Sequence, residues 1–289
     1  MLLVIYISIG LVLGPSFLNL SGNEALFSFC AQGFLLVAGL ELSIRHLKQH
    51  LAGSLKIALG AFLFPFVVGM LAAPLLVGPS SSAVILALAL SISALPVIVQ
   101  ILKDLKIYDT KVGHIAISAA TVCDVLAWVI FLGIIPAEHR HAWLKSHGAV
   151  LLFFVGLTFS EWIRRFPRIQ NVLLKLSQWF FAPVFFISVG MKIEMQNHFS
   201  WIQFLAVLIL ALFSKTAGVY FMARRAKYQK SESMVMAAVL NARGAMEILY
   251  ASLALSLGMI DETLFTSLVL MAIVSSVIAV PFARRCQAC

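Results

Sequence analysis

Four ionisable residues interrupt stretches of sequence that are otherwise apolar: Asp124, Lys215, Arg243 and Glu247. A charge at the centre of a bilayer costs about 2.5–3.5 kcal/mol on insertion scales, so such residues mark ion or proton paths by default. The plainer reading is a set of buried ion pairs that fix helix packing. Asp124 and Glu247 are the two carboxylates of the set, and a carboxylate can hold either a proton or a metal cation. Thr121 lies one helical turn before Asp124 on roughly the same face. Lys215 is suited to balance the ionised, empty Asp124. Arg243 and Glu247 stand four apart, where a helix brings side chains together.

Two short segments supply the remaining oxygen ligands. Ser91 and Ser93 precede Ala94, Leu95 and Pro96. Proline lacks an amide hydrogen and disfavours helix at its predecessor, which frees main-chain carbonyls. Those carbonyls and the two hydroxyls form an oxygen set suited to a hard monovalent cation. Asn241 and Gly244 bracket Arg243 in a second segment, where glycine weakens the helix at mid-span. Matching interruptions in two halves of a membrane protein are a pointer to its transport site.

Positioning these residues requires membrane helices. The chain has 289 residues, 62% hydrophobic and 11% charged, and a mean hydropathy of +1.01. Soluble domains average about 25% charged residues, so this composition excludes a soluble enzyme, a disordered chain and a nucleic-acid-binding domain. Apolar spans are expected at 2–18, 25–43, 56–77, 83–102, 113–135, 148–163, 177–191, 201–223, 233–258 and 264–282. Ten spans divide into inverted halves, residues 1–135 and 148–289, joined by a polar outer loop at 136–147. Most of the 21 basic residues then fall in alternate loops, among them Arg45, Lys103, Lys106, Arg164, Arg165, Arg224, Lys227 and Arg284. The positive-inside rule places those loops and both termini in the cytoplasm, with the chain in the cell (inner) membrane. Met1 leads directly into an apolar run, so no cleavable signal peptide is expected. No cofactor, nucleophile–base pair or metal cluster is expected; the partners are the lipid bilayer and the transported ions.

Several segments, in order, resemble the monovalent cation:proton antiporters, in the branch that includes Kef, NapA and the plant CHX proteins. They are Gly10 to Ser16, Phe34 to Glu41, Ser93 to Val97, Gly113 to Asp124, Gly148 to Glu161, Pro183 to Gly190, Ser214-Lys215 and Asn241 to Glu247. The resemblance implies an all-α, NhaA/NapA-like fold with broken crossing helices, exchanging Na⁺ or K⁺ for H⁺. It assigns Asp124 to the ion-binding helix and Lys215 to the core lysine. Cys123 stands where family members often carry a first acidic or polar residue, and a single carboxylate implies electroneutral exchange. Family members often form homodimers, which brings a second copy into view as a partner. They also carry one more helix before Gly10 and two more between Asp124 and Gly148. The competing expectation is therefore a shortened, non-transporting membrane protein derived from an antiporter.

Overall fold

The computed structural model describes residues 2–15, 17–18, 22–41, 51–77, 81–134, 149–194 and 199–288. All regular structure among them is helical: α1 Leu2–Leu13, α2 Glu24–Glu41, α3 Leu51–Leu76, α4 Ser81–Ser91, α5 Leu95–Asp104, α6 Lys111–Ile134, α7 Ala149–Ile163, α8 Pro167–Leu176, a π-turn Ser177–Phe181, α9 Ala182–Gly190, α10 Trp201–Arg225, α11 Lys230–Leu240, α12 Ala245–Ser256 and α13 Glu262–Ala288. Six of these stretches are long and apolar enough to cross a membrane, and the bent pair α11–α12 makes a seventh. Their outer surfaces carry large apolar side chains: Leu75 is 88% exposed and Ile202 82%. Such a surface suits hydrocarbon, where every backbone amide and carbonyl must be satisfied by the helix itself. The outer loop expected at 136–147 lies outside the described residues.

Each expected span overlaps one or more of these helices, although α1, α4, α5 and α7 are individually shorter than a full crossing, and one stretch reads differently. Residues 167–176 read as a cytoplasmic loop because Arg168, Gln170, Asn171 and Lys175 break the apolar run. They form α8, started by Pro167 at its first turn, and continue through the π-turn into α9. Proline is favoured there because its missing amide hydrogen is one of the helix's unsatisfied donors in any case. The two interruptions expected at 94–96 and 241–244 are both present, between α4 and α5 and between α11 and α12.

The chain forms two compact units. One comprises residues 1–48 and 135–198, the other 49–134 and 199–289. In the first unit α2 packs on α7 and α1 on α9. Both contacts are close enough that only glycine fits. A Cβ on Gly39 or Gly156 would overlap the backbone of the facing helix, and the same holds for Gly10 and Gly190.

The second unit holds every candidate ion-binding residue. Its central contact is α3 against α10, with α4 and α6 packed on α3 and with α11 and α13 packed on α10. Gly60 and Gly218 meet at the crossing: a Cβ on either would overlap the other's carbonyl oxygen. Gly60→Val is therefore expected to lower stability by about 1–3 kcal/mol, the usual penalty of overpacking. A thermal melt in detergent reads this directly, and an unchanged midpoint would contradict the contact.

The two ends of this unit differ in charge. At one, Lys111 stacks over the Tyr228 ring at 5.7 Å and the Gln287 amide donates to the Leu105 carbonyl at 3.1 Å. Lys103, Lys106, Arg224, Arg225, Lys227, Arg284 and Arg285 all belong to this end. At the other, Ser82 Oγ donates to the Met259 carbonyl at 2.8 Å. That end carries Asp261, whose carboxylate caps α13 by accepting from the Leu264 amide. The basic end turns tightly, with Lys106 and Lys227 in the left-handed region closing α5 and α10.

Candidate functional site

The two broken helices meet end to end at the middle of the second unit. Helices α4 and α11 both run toward that point and stop, and α5 and α12 both start from it. The breaks are tied together by the Ala94 amide donating to the Ala242 carbonyl at 3.0 Å and by Ser93 Oγ donating to the Leu240 carbonyl at 3.3 Å. An interrupted helix leaves up to four unpaired carbonyls at its end. In a bilayer interior those groups need partners from elsewhere in the protein.

Two buried cations supply them for α4. Arg243 donates from Nη1 to the Ala89 carbonyl at 2.5 Å and from Nη2 to the Leu90 carbonyl at 2.6 Å. Lys215 Nζ donates to the Ser91 carbonyl at 2.7 Å and to the Ile92 carbonyl at 2.6 Å. Four successive carbonyls are thus capped by two positive charges, which also oppose the negative end of the helix dipole. Among the described residues the end of α11 receives the Ser93 hydroxyl and backbone amides, with no charged donor. The site is asymmetric: one half-helix end is neutralised and the other is not.

The carboxylates are bound unequally as well. Glu247 Oε1 lies 3.4 Å from Arg243 Nη1, the i, i+4 pair expected from the spacing. Its Oε2 has no hydrogen-bond partner among the described residues. Asp124 is 1% exposed, and neither of its oxygens makes a hydrogen bond of ordinary geometry with the described residues. Lys215 acts on it as the opposite charge, and the Ser93 amide points to it as a weak hydrogen-bond donor. Lys215, expected as the counter-charge of Asp124, acts on it through its charge while donating hydrogen bonds to the Ser91 and Ile92 carbonyls.

The hydroxyls are arranged as acceptors. Ser91 Oγ lies 2.9 Å from the Phe62 carbonyl and 2.8 Å from the Ala87 carbonyl, to one of which its single proton is donated, and Thr121 Oγ1 donates to the Ile117 carbonyl at 3.0 Å. A hydroxyl whose proton is spent on a carbonyl presents lone pairs, which is what a cation requires. Asn241 donates through its amide nitrogen to the Leu212 carbonyl and to Thr216 Oγ1, and its Oδ1 is left unpartnered and buried. Gly244 is extended and heads α12, with Ser276 Oγ donating to the carbonyl just before it, that of Arg243. Cys123 is buried and points to the Ala58 carbonyl on α3.

Sequence reasoning did not anticipate that α4 is capped across a separation of more than a hundred residues. It also passed over Trp128 and Tyr250, which are fully buried between α6 and α12. The available signal was spacing: Trp128 and Phe131 follow Asp124 at i+4 and i+7 on one helix face.

The chain matches the sodium/hydrogen exchanger, transmembrane family over residues 2–142 and 141–284. It is 26% identical to cation/H(+) antiporter 17 of Arabidopsis thaliana over 86% of this chain, spanning 39% of that longer protein. It is 24% identical to the Na(+)/H(+)-K(+) antiporter GerN of Bacillus cereus over 96% of this chain and 87% of GerN. In fold it is similar to the sodium proton antiporter MjNhaP1 from Methanocaldococcus jannaschii, with a TM-score of 0.70 at 15% identity, covering 99% of this chain and 91% of that one. The family match extends over both broken helices and the buried charges they hold, and the chain is a multi-pass membrane protein belonging to the sodium/hydrogen exchanger family of monovalent cation:proton antiporters.

Proposed function

We propose that this chain exchanges a monovalent cation, Na⁺ or K⁺, for H⁺ across the cell membrane, with Asp124 as the carboxylate that both ions share. The observation that carries this reading is the contrast among the four buried charges. Lys215, Arg243 and one oxygen of Glu247 are committed to partners, whereas neither oxygen of Asp124 makes a hydrogen bond of ordinary geometry among the described residues. A buried carboxylate with nothing to hold is costly unless an ion or proton occupies it. Ser93, Ser91 and Thr121 would complete the oxygen shell, while Lys215 and Arg243 hold the break open beside it. The antiporter activities named for GerN and the Arabidopsis relative agree with this reading.

Competition on one carboxylate is sufficient for exchange: the cation binds the deprotonated form, and protonation releases it. A further consequence is the direction of the pH response. Lowering the pH on one side should raise the apparent KM for the cation there while leaving the maximal rate at saturating cation unchanged. The matching experiment is dye-reported proton flux in proteoliposomes, titrated with Na⁺, K⁺ and Li⁺ at several pH values. If no cation dissipates an imposed proton gradient while the protein is folded, the non-transporting reading takes its place.

The inverted halves 1–135 and 148–289 draw support from packing that repeats when each first-half span is exchanged for its second-half counterpart. The α1–α9 contact corresponds in this way to the α7–α2 contact, and α3–α6 to α10–α13. The tight glycine crossings follow the same exchange, Gly10 with Gly190 and Gly156 with Gly39. The basic end of the second unit, where Arg284 and Arg285 lie, supports placing the C-terminus in the cytoplasm.

A further inference from the structure

Asp124 stands at the head of a column of side chains on α6 that continues with Trp128 and Phe131 toward the Ile134 end. Both aromatic residues are essentially unexposed, at 1% and 0%. Tyr250, from the outer half-helix α12, closes over them. Its ring centroid lies 4.8 Å from that of Phe131 and 6.1 Å from that of Trp128, both edge-to-face. Trp128 and Phe131 themselves meet edge-to-face at 5.9 Å. Toward the Lys111 end the same face of α6 carries only Thr121, Ala120 and Ile117. Bulk is concentrated on one side of the carboxylate.

Tyr250 is an odd choice for a purely packed position. Its hydroxyl is fully buried and has no hydrogen-bond partner among the described residues. Phenylalanine would supply the same ring contacts without that penalty. The favourable edge-to-face contacts and the unfavourable orphaned hydroxyl are of similar size. Such a cluster stays closed but is cheap to open, since opening lets the hydroxyl find a partner.

We propose that Trp128, Phe131 and Tyr250 form an aromatic seal that separates Asp124 from the membrane face at the Ile134 end, with the Tyr250 hydroxyl setting how readily it opens. This rests on the reading of Asp124 as the ion-binding carboxylate, but its test does not require transport. An Asp124→Cys variant, with Cys30, Cys123, Cys286 and Cys289 replaced by Ser, carries a single thiol at the site. Its labelling by a membrane-impermeant cationic methanethiosulfonate is followed separately from each face of oriented vesicles. Adding Trp128→Ala should speed labelling from the Ile134 face at least tenfold and leave labelling from the Lys111 face unchanged. Adding Tyr250→Phe, which keeps the rings and the fold, should slow labelling from the Ile134 face several-fold. Equal acceleration from both faces would show general loosening and overturn the seal. No change with Tyr250→Phe would overturn the role of the hydroxyl. Separately, in the native-site protein, Trp128→Ala should add a proton leak that needs no cation. One-sided labelling without any exchange by the parent protein would leave the seal standing and remove the antiport reading.

Discussion

Asp124→Asn is expected to abolish cation-driven proton movement and to raise thermal stability at the same time. Asparagine matches the carboxylate in shape but neither titrates nor neutralises a cation, so both ions lose their common site. Meanwhile the folded state no longer has to hold a buried carboxylate whose oxygens make no hydrogen bond of ordinary geometry among the described residues. The amide stays as unpartnered as the carboxylate was, so the gain comes from removing the buried charge alone, about 1–3 kcal/mol. For a chain of this size each kcal/mol moves the melting midpoint by about 2–4 °C. Flux assays in proteoliposomes and a melt in detergent test the two halves of this expectation independently. An Asn variant that still exchanges ions would remove Asp124 from the mechanism. One that loses both activity and stability would instead make Asp124 a structural residue.

Arg243→Ala should be the most damaging single change in the second unit. It strips the Ala89 and Leu90 carbonyls of their donors and leaves Glu247 without its ion-pair partner. Breaking one side of a buried pair costs about 3–5 kcal/mol. The lost caps add to that, because no water replaces them in the bilayer interior. Folded protein recovered in detergent should fall sharply. The double variant Arg243→Ala/Glu247→Ala should recover part of the loss, since it no longer strands a charge, but not all of it, since the carbonyls remain bare. A double-mutant cycle on melting separates the two contributions. Wild-type stability for Arg243→Ala would contradict the capping role.

Much of this arrangement was legible in the chain because local chemistry announces it. Pro96 and Gly244 mark the breaks through their own backbone preferences, and the spacing of Arg243 and Glu247 dictates their pairing. The helical spans follow from apolar runs of sufficient length. What the chain conceals is anything that depends on which element lies across the core. Lys215 reads as the counter-charge of Asp124 because opposite charges attract, but nothing in the chain announces that its hydrogen bonds go to the Ser91 and Ile92 carbonyls at the end of α4. Helix α8 is missed for a related reason: its polar residues resemble a loop, whereas its starting proline and its continuation into α9 make it the first part of a span.

The capping of α4 bears on how the protein is made. Residues 81–91 leave the ribosome long before Arg243, which lies 154 positions beyond Ala89. At about 5–20 residues per second, that interval is on the order of ten to thirty seconds. Throughout it, a half-helix ending in four bare carbonyls has to remain somewhere other than open hydrocarbon. The nascent first half must therefore wait, sheltered by the insertion machinery or retaining water, until the second half arrives with its two cations. Order of synthesis and order of membrane integration are separated by the same hydrogen bonds that hold the finished site.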